Sequence, residues 1–520
     1  MTALSLAATL AEPARRSPDS LALVEGGVRL TYGELWAEAL RYAAALREQG
    51  VRPDDRVALL CPNTADFVRT YYAILALGGV VVPVPTLLNA DEAAYILQHS
   101  GARTLVAEVS HLDLGRKAAH TAGISVLPLG DRHNSGSLDA LARPADPLRT
   151  YTTRDTDDPA VIFYTSGTTG RPKGAVLTHF NLVMNATVNA YDANGLRPDD
   201  VVLGCLPLFH TFGQTVAMNA TFRVGATLVL QPRFDPDGAI ALMRDEAVTA
   251  FYGVPTMFIR LLDSATGQPE LPQPAMCISG GASLPVAVLE RFEKTFTTTV
   301  YEGYGLSETS PTASVNQSGY GTRPGTVGHP LWGVEVEIAD ADIEGCIELL
   351  PHGETGEIVI RGHNVMAGYL GDPEATDAAI VDGWFRTGDI GRKDADGFLS
   401  VVDRKKDLII RGGFNVYPRE VEEALTRHSD IAEAAVIGIP DDERGEEICA
   451  VVVPRSGRRI DPDALIAWTR DRLGRHKYPR RVEVVDRLPL GPSHKVLKRE
   501  LRRQFIQQAT PRATERTVAP

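Results

Sequence analysis

The sequence has little cysteine and no arrangement of cysteines that suggests a site. Cys61, Cys205, Cys277, Cys346 and Cys449 are odd in number and far apart, with no Cys-x-x-Cys. This argues against a disulfide framework and a structural zinc site, and fits a reducing, cytoplasmic compartment. The twelve histidines include no His-x-His or His-Glu-x-x-His, so any metal is expected to be a hard cation arriving with a phosphate substrate. Long hydrophobic runs are missing as well. The most apolar stretch, "YYAILALGGVVVPVP", is broken by two glycines and two prolines, and predicts a buried helix followed by a buried strand rather than a membrane span. The first residues, "MTALSLAATLAEPARRSPDS", place no basic segment before their mildly apolar stretch and make a poor secretion signal. Overall positive charge is absent too: the net charge of −13 argues against nucleic acid as a partner. The exception is local. Residues 470–504 carry twelve Lys or Arg against four Asp or Glu, which suits an anionic cofactor or protein partner and suits a solvated basic face equally well.

At 520 residues the chain exceeds what one core holds, so several packing units are expected. From "RLTYGELWAEALRYAAALREQGVRPDDRVALLCPN" onward, helical apolar spacing alternates with short apolar runs: "ARTLVAE", "AVIFYTSG", "DVVLGCLPLFH", "ATLVLQ" and "AMCISGG". Such alternation predicts parallel sheets covered by helices, with ligands beyond the carboxyl ends of the strands. After residue 325 the texture changes to "VEVEIAD", "GEIVIRG", "GWFRTGD" and "GFLSVVDR", short strands and turns of a mostly antiparallel subdomain. A compact unit of helices and strands follows "DRKKD" and ends near Gln508. The polar stretch 509–520, "ATPRATERTVAP", is expected to be disordered.

What stands out is "YTSGTTGRPKGAVLTH", Tyr164 to His179, with three glycines, a run of hydroxyls, Arg171 and Lys173 just after an apolar strand. Glycines let backbone N–H groups approach an anion, hydroxyls add donors, and the cations neutralise charge. It is not a Walker A loop, because Pro172 falls where the second glycine should be. Nor is there a dinucleotide Gly-x-Gly-x-x-Gly here or at "GYGLSE". The segment reads as a phosphate binder of a third kind, although its composition also suits an ordinary surface loop.

Other segments share this character. "PLFHTFG" (207–213) and "SGGASLP" (279–285) each follow an apolar strand, and "YEGYGLSETS" (301–310) gathers aromatic, glycine, hydroxyl and acid. "GWFRTGD" (383–389) presents an acid after a glycine turn, and "LPLGPSHKVLKREL" (488–501) sets a lysine before a basic helix. Each alone could be a strand-end turn or a solvated helix start. Taken in this order, together with "DRKKDLIIRGGFNVYPREVE" (403–422), they resemble the adenylate-forming acyl-CoA synthetase superfamily from about Leu30 to Gln508.

The resemblance implies an α/β fold: a large N-terminal domain, 1–403, of helix-covered sheets plus a small β-barrel, hinged to a small mobile C-terminal α/β domain, 404–508. It implies a reaction in which a carboxylate and ATP give an acyl-adenylate and pyrophosphate, and coenzyme A then displaces AMP. ATP, Mg2+ and coenzyme A are the implied cofactors, and an acyl carrier protein is an alternative acceptor. Thr165, Ser166, Gly167, Thr168, Thr169, Gly170 and Lys173 would hold the β- and γ-phosphates, Glu308 the magnesium, and Ser307 the α-phosphate. Tyr304 would stack on adenine beside Gly280, Gly281, Ala282 and Gly305, while Asp389 and Arg404 would take the ribose. Lys495 matches the lysine that bridges carboxylate and phosphate during adenylation. His494 stands where most relatives have glycine, a position where φ > 0 would strain it. Lys406 matches the hinge, Gly412 and Gly413 in "RGGFN" the pantetheine tunnel, and His210 the gate between acyl pocket and thiol. This suits the chemistry, because a weak carboxylate nucleophile attacking phosphorus needs mainly positioning and placed positive charge. A non-enzymatic nucleotide-binding relative would be expected to have lost Glu308, Asp389 or Lys495.

For the acid, "LFHTFGQTVAMNATF" contains no Asp or Glu to pair an α-ammonium, which disfavours amino acids. "FGQTVAMNA", "FYGVPTM" and "GGASLP" read as small and apolar, and Gly213 and Ala217 as leaving room for a chain. A medium- or long-chain fatty acid is therefore the first expectation, with an aromatic acid, or loading of a carrier protein's phosphopantetheine, as alternatives.

Overall fold

The computed structural model describes residues 3–131, 134–165, 171–412, 414–441, 443–491 and 496–509. Two compact units result. The first comprises Met1–Leu284, Val288–Thr387 and Arg392–Ser400, the second Pro285–Ala287, Gly388–Gly391 and Val401–Pro520.

The apolar runs of the first unit become strands of two large sheets. Thr104–Glu108, Arg56–Leu60, Val80–Pro83 and Pro159–Thr165 pair parallel in one seven-stranded sheet, which turns antiparallel at Lys173–Thr178 and Gly368–Tyr369. In the nine-stranded sheet, Thr227–Leu230, Val201–Gly204, Ala250–Gly253, Met276–Ser279 and Val300–Gly305 run parallel in that spatial order. Each crossover between parallel neighbours is helical, as parallel pairing requires. The first long helix, Tyr32–Glu48, opens with a capping box in which Thr31 and Glu34 satisfy each other's backbone N–H.

The stretch "YYAILALGGVVVPVP" forms the end of helix Ala65–Leu77 and strand Val80–Pro83, both buried. Gly78 ends the helix at φ +83°, a left-handed conformation that glycine takes without penalty. The helix also buries Arg69, whose guanidinium is met by Glu38 and Asp66 at 2.5 Å each, as a buried charge requires. Among the described residues, no helix is long and apolar enough to cross a membrane.

After residue 325 the short strands form a third sheet in the order Val334–Ala339, Thr355–Gly362, Trp384–Lys393, Ile380–Val381, with antiparallel pairing at both ends. In the second unit, Ile431–Asp441 and Gly445–Pro454 form a long antiparallel ladder. Its residues alternate between two small cores. Val436, Ile448 and Ala450 face Val421, Leu425 and Leu465, whereas Ala435, Ile437, Cys449 and Val451 face Leu501 and Phe505 of helix Lys498–Ala509. That is the period of two expected of a sheet buried on both faces. Part of the basic segment is neutralised inside this unit: Lys477 pairs with Glu420 at 2.8 Å, Arg481 with Glu483 at 2.6 Å and Lys498 with Glu422 at 2.7 Å. Residues 510–520 lie outside the described residues.

Candidate active site

Three segments singled out in the sequence sit at the carboxyl ends of parallel strands of the nine-stranded sheet. "PLFHTFG" follows Val201–Gly204, "SGGASLP" spans the end of Met276–Ser279, and "YEGYGLSETS" spans the end of Val300–Gly305. Side-chain contacts bring them together. Thr211 Oγ1 donates to Ser307 Oγ at 3.0 Å. A Cβ added at Gly280 would lie 3.1 Å from the Phe212 ring, so the glycine lets that ring come close to the backbone. Gly281 sits at φ +82° and, like Ala282, is exposed. Tyr304 is half-buried opposite Ser314 on the neighbouring antiparallel strand. His210, also half-buried, turns Nδ1 toward the Phe212 N–H at 3.4 Å.

Gly305 is dictated by the backbone around it. A Cβ there would come 1.8 Å from the carbonyl oxygen of Pro311, the same carbonyl that accepts the Leu306 N–H at 3.1 Å. Gly305→Ala must therefore push apart the turn that carries Ser307 and Glu308. We expect a destabilisation of about 1–3 kcal/mol and a large loss of adenylation, read by thermal melting and pyrophosphate release. An alanine variant with unchanged melting and activity would contradict this.

Thr165 and Lys173, which flank the hydroxyl- and glycine-rich segment, form the last pair of a hairpin whose arms are Pro159–Thr165 and Lys173–Thr178. Ser166, Gly167, Thr168, Thr169 and Gly170 lie outside the described residues. At its base stands Glu308, 8% exposed, in the turn Ser307–Thr309. Its Oε1 accepts from Thr165 Oγ1 and from the Tyr369 hydroxyl, each at 3.1 Å. Among the described residues, Oε2 takes no side-chain hydrogen bond. Burial, then the adjacent Glu308 carboxylate, push the Tyr369 hydroxyl well above its ordinary pKa, so it remains a donor. Lys173 Nζ lies 5.0 Å from the centroid of the Tyr369 ring and 4.0 Å from Asp372.

Asp389 and Arg404 belong to the second unit and pair with each other at 3.1 Å, Asp389 being 4% exposed. Gly412 takes φ +57° and donates its N–H to the Arg444 carbonyl at 2.8 Å. The neighbouring Arg411 grips Glu447 through two bonds of 2.6 and 2.8 Å. Gly413, His494 and Lys495 lie outside the described residues.

One expectation needs correction. Gly213 does not leave room for a chain, because a Cβ there would lie 2.4 Å from the Pro207 carbonyl oxygen; the glycine is needed for backbone contact. The stretch that contains it, Phe212–Asn219, is a π-helix, a form often found at functional sites. It is less apolar than it reads, since Gln214, Thr215 and Asn219 are all 0% exposed. Asn219 is satisfied by Tyr71 and Tyr72, and Gln214 Nε2 by the Leu208 carbonyl. Gln214 Oε1 and Thr215 Oγ1 have no hydrogen-bond partner among the described residues.

Tyr369 and Thr211 were not anticipated as site residues. The only sequence signal was the glycine-aromatic pair Gly368-Tyr369 in one case and the hydroxyl next to His210 in the other.

Comparison with known proteins identifies the family. Residues 10–370 match the model of the AMP-binding enzyme family, and residues 420–495 that of the AMP-binding enzyme C-terminal domain. The chain belongs to the adenylate-forming acyl-CoA synthetase superfamily. This synthetase is 40% identical over 494 residues to a feruloyl-CoA synthase of Amycolatopsis sp, covering 95% of this chain and 97% of the relative. It is 36% identical over 530 residues to a long-chain-fatty-acid–CoA ligase of Bacillus subtilis, covering 96% and 94%. Among solved structures, ATP-bound MatB from Rhodopseudomonas palustris superposes with a TM-score of 0.88 at 35% identity, over 96% of this chain and 99% of that one. The protein is thus an acid–thiol ligase that joins a carboxylic acid to coenzyme A through an acyl-adenylate, using ATP and Mg2+.

Proposed function

We propose that the acid is aromatic, a cinnamate- or benzoate-like acid with a polar ring substituent, and that catalysis falls to Glu308 and the other residues named below. One observation carries the choice of acid: the segment after His210 holds two fully buried polar atoms without partners among the described residues, Gln214 Oε1 and Thr215 Oγ1. Buried polar groups left unpaired favour a ligand that pairs them and disfavour a bare methylene chain. The 40% identity to a feruloyl-CoA synthase supports the same reading. A second reading, a medium- or long-chain fatty acid, rests on the apolar character of the rest of the segment and on the fatty-acid ligase relative. Coenzyme A is the acceptor in both readings, and a carrier protein has no support in the comparisons.

In the first half-reaction a carboxylate oxygen of the acid attacks the α-phosphorus of ATP, and the bond to pyrophosphate breaks. Thr165–Lys173 hold the β- and γ-phosphates. Because Ser307 Oγ accepts from Thr211, its own proton is available for an α-phosphate oxygen. Glu308 would hold the magnesium ion: its Oε1 is held by two hydroxyls, which leaves Oε2 available. When bound, the ion would supply charge compensation to the phosphates. Tyr304, with Gly280, Gly281, Ala282 and Gly305, takes the adenine; Asp389, steadied by Arg404, takes the ribose hydroxyls.

In the second half-reaction the thiolate of coenzyme A attacks the acyl carbonyl and AMP leaves. In this reading His210 is the gate between acid and thiol. The C-terminal domain turns about Lys406, removing Lys495 and bringing Gly412 and Gly413 to the pantetheine. A cytoplasmic location belongs to the same reading.

The test is a panel of acids. We expect hydroxylated or methoxylated cinnamates and benzoates to give the highest kcat/KM, and lengthening a saturated chain to gain little. A fatty-acid tunnel would instead gain about 0.8 kcal/mol, or about fourfold, per added methylene. That steady rise, with poor aryl substrates, would overturn the aromatic reading and leave the adenylation chemistry intact.

A further inference from the structure

Tyr95 and His99 lie outside every segment named so far. They stand one turn apart on helix Ala90–Ser100 and so share a face. The helix is a firm mount. Asn89 and Glu92 form its capping box, and Gly101 ends it at φ +63°. Its opposite face, Ala93, Ala94, Ile96 and Leu97, is buried in the core beside the seven-stranded sheet.

The Tyr95–His99 face meets both arms of the phosphate hairpin. His99 Nδ1 lies 2.9 Å from the hydroxyl of Tyr164, on the arm that enters the tip. The Tyr95 hydroxyl donates to the Pro172 carbonyl at 3.0 Å, on the arm that leaves it. The Arg171 guanidinium lies over the Tyr95 ring, 5.8 Å from its centroid. Tyr95, His99 and Tyr164 also pack on one another, with ring centroids 5.4, 5.6 and 6.5 Å apart. A cavity of about 110 Å³ adjoins them, lined in part by Arg171, Lys173, Tyr369 and Asp372.

Strand pairing alone does not provide this hold. The ladder ends at Thr165 opposite Lys173, so Arg171 and Pro172 lie beyond its last rung. Yet Arg171 brings one of the two cations of the hairpin, and a charge acts on a phosphate only as well as it is placed.

We propose that Tyr95 is a positioning residue for the phosphate hairpin. It fixes the Pro172 carbonyl and underlies Arg171, setting where Arg171 and Lys173 stand toward the β- and γ-phosphates of ATP, while His99 steadies the other arm through Tyr164. The proposal rests on Thr165–Lys173 being the phosphate-holding segment.

The test separates the two half-reactions in the full-length enzyme. Tyr95→Phe removes only the hydroxyl, and Tyr95→Ala removes the ring as well. In pyrophosphate release, Tyr95→Phe is expected to lower kcat/KM for ATP roughly 2–10-fold, the scale of one hydrogen bond. Tyr95→Ala is expected to lower it roughly 10–100-fold, mostly through KM, so that Phe restores the larger part. Thioester formation from pre-made acyl-adenylate and coenzyme A needs no β- or γ-phosphate and should stay within about twofold of the parent. Equal loss in both half-reactions would mean that Tyr95 merely supports the fold, and would overturn the proposal. Unchanged ATP kinetics in Tyr95→Ala would overturn it as well. Lys173→Ala tells the two levels apart. If that variant loses ATP affinity while Tyr95→Ala does not, only the positioning role fails. If Lys173→Ala itself uses ATP normally, the phosphate reading of the hairpin fails and the positioning role with it.

Discussion

Glu308→Gln is expected to lower acyl-adenylate formation by about 10²–10³-fold, the scale for removing one placed charge at a reacting phosphate. Glutamine keeps the volume of the side chain and an amide oxygen that can accept from Thr165 and Tyr369, the two hydroxyls now on Oε1. The fold around the turn should therefore survive, and thermal melting should change little. What is lost is the negative charge offered to magnesium, so the remaining activity should need a higher Mg2+ concentration. Pyrophosphate release measured across a magnesium titration checks this. A near-parental rate at the same Mg2+ concentration would remove Glu308 from the metal site.

The second large effect is expected at Lys495. Lys495→Ala should abolish adenylation, a loss of about 10²–10³-fold or more, and spare thioester formation from pre-made acyl-adenylate. The reasoning is electrostatic: two anions, the carboxylate and the α-phosphate, must approach each other, and a cation between them offsets their repulsion in the transition state. Once the adenylate exists, that need has gone. If Lys495→Ala made acyl-CoA from acid and ATP at near-parental rate, the role would be wrong. If it failed equally on the pre-made adenylate, the assignment to one half-reaction would be wrong. Its neighbour His494 offers a milder companion, since His494→Gly tests whether the missing glycine slows adenylation.

Much of the site was legible because its residues come in short contiguous runs. In "YEGYGLSETS" a strand, a turn and an acid follow one another within ten positions, so local order already brings Tyr304, Ser307 and Glu308 into one short segment. The alternation of apolar runs with helical spacing likewise predicted the two helix-covered sheets, because both signals are periodic and local. The contacts that tie the runs together were not legible. Tyr369 reaches Glu308 across 61 positions, Thr211 reaches Ser307 across 96, and Tyr95 reaches Pro172 across 77. Nothing periodic in a sequence marks such pairs.

Gly213 shows the same limit from the other side. A small residue in an apolar stretch reads as space, but whether it is space depends on what the fold brings against it, and here that is the carbonyl of Pro207. Gln214 and Thr215, polar by sequence and fully buried by structure, moved the expected acid from a plain chain toward a substituted ring for the same reason.

By itself, then, the sequence determined the class of fold, through signals that are periodic and local, and its motifs carried the resemblance that pointed to the family and its chemistry. Only the tertiary structure decided which hydroxyls hold Glu308, which ring underlies Arg171 and which glycine is filled by backbone. Those depend on strand order and register in the sheets, where residues far apart in the chain become neighbours at hydrogen-bonding distance.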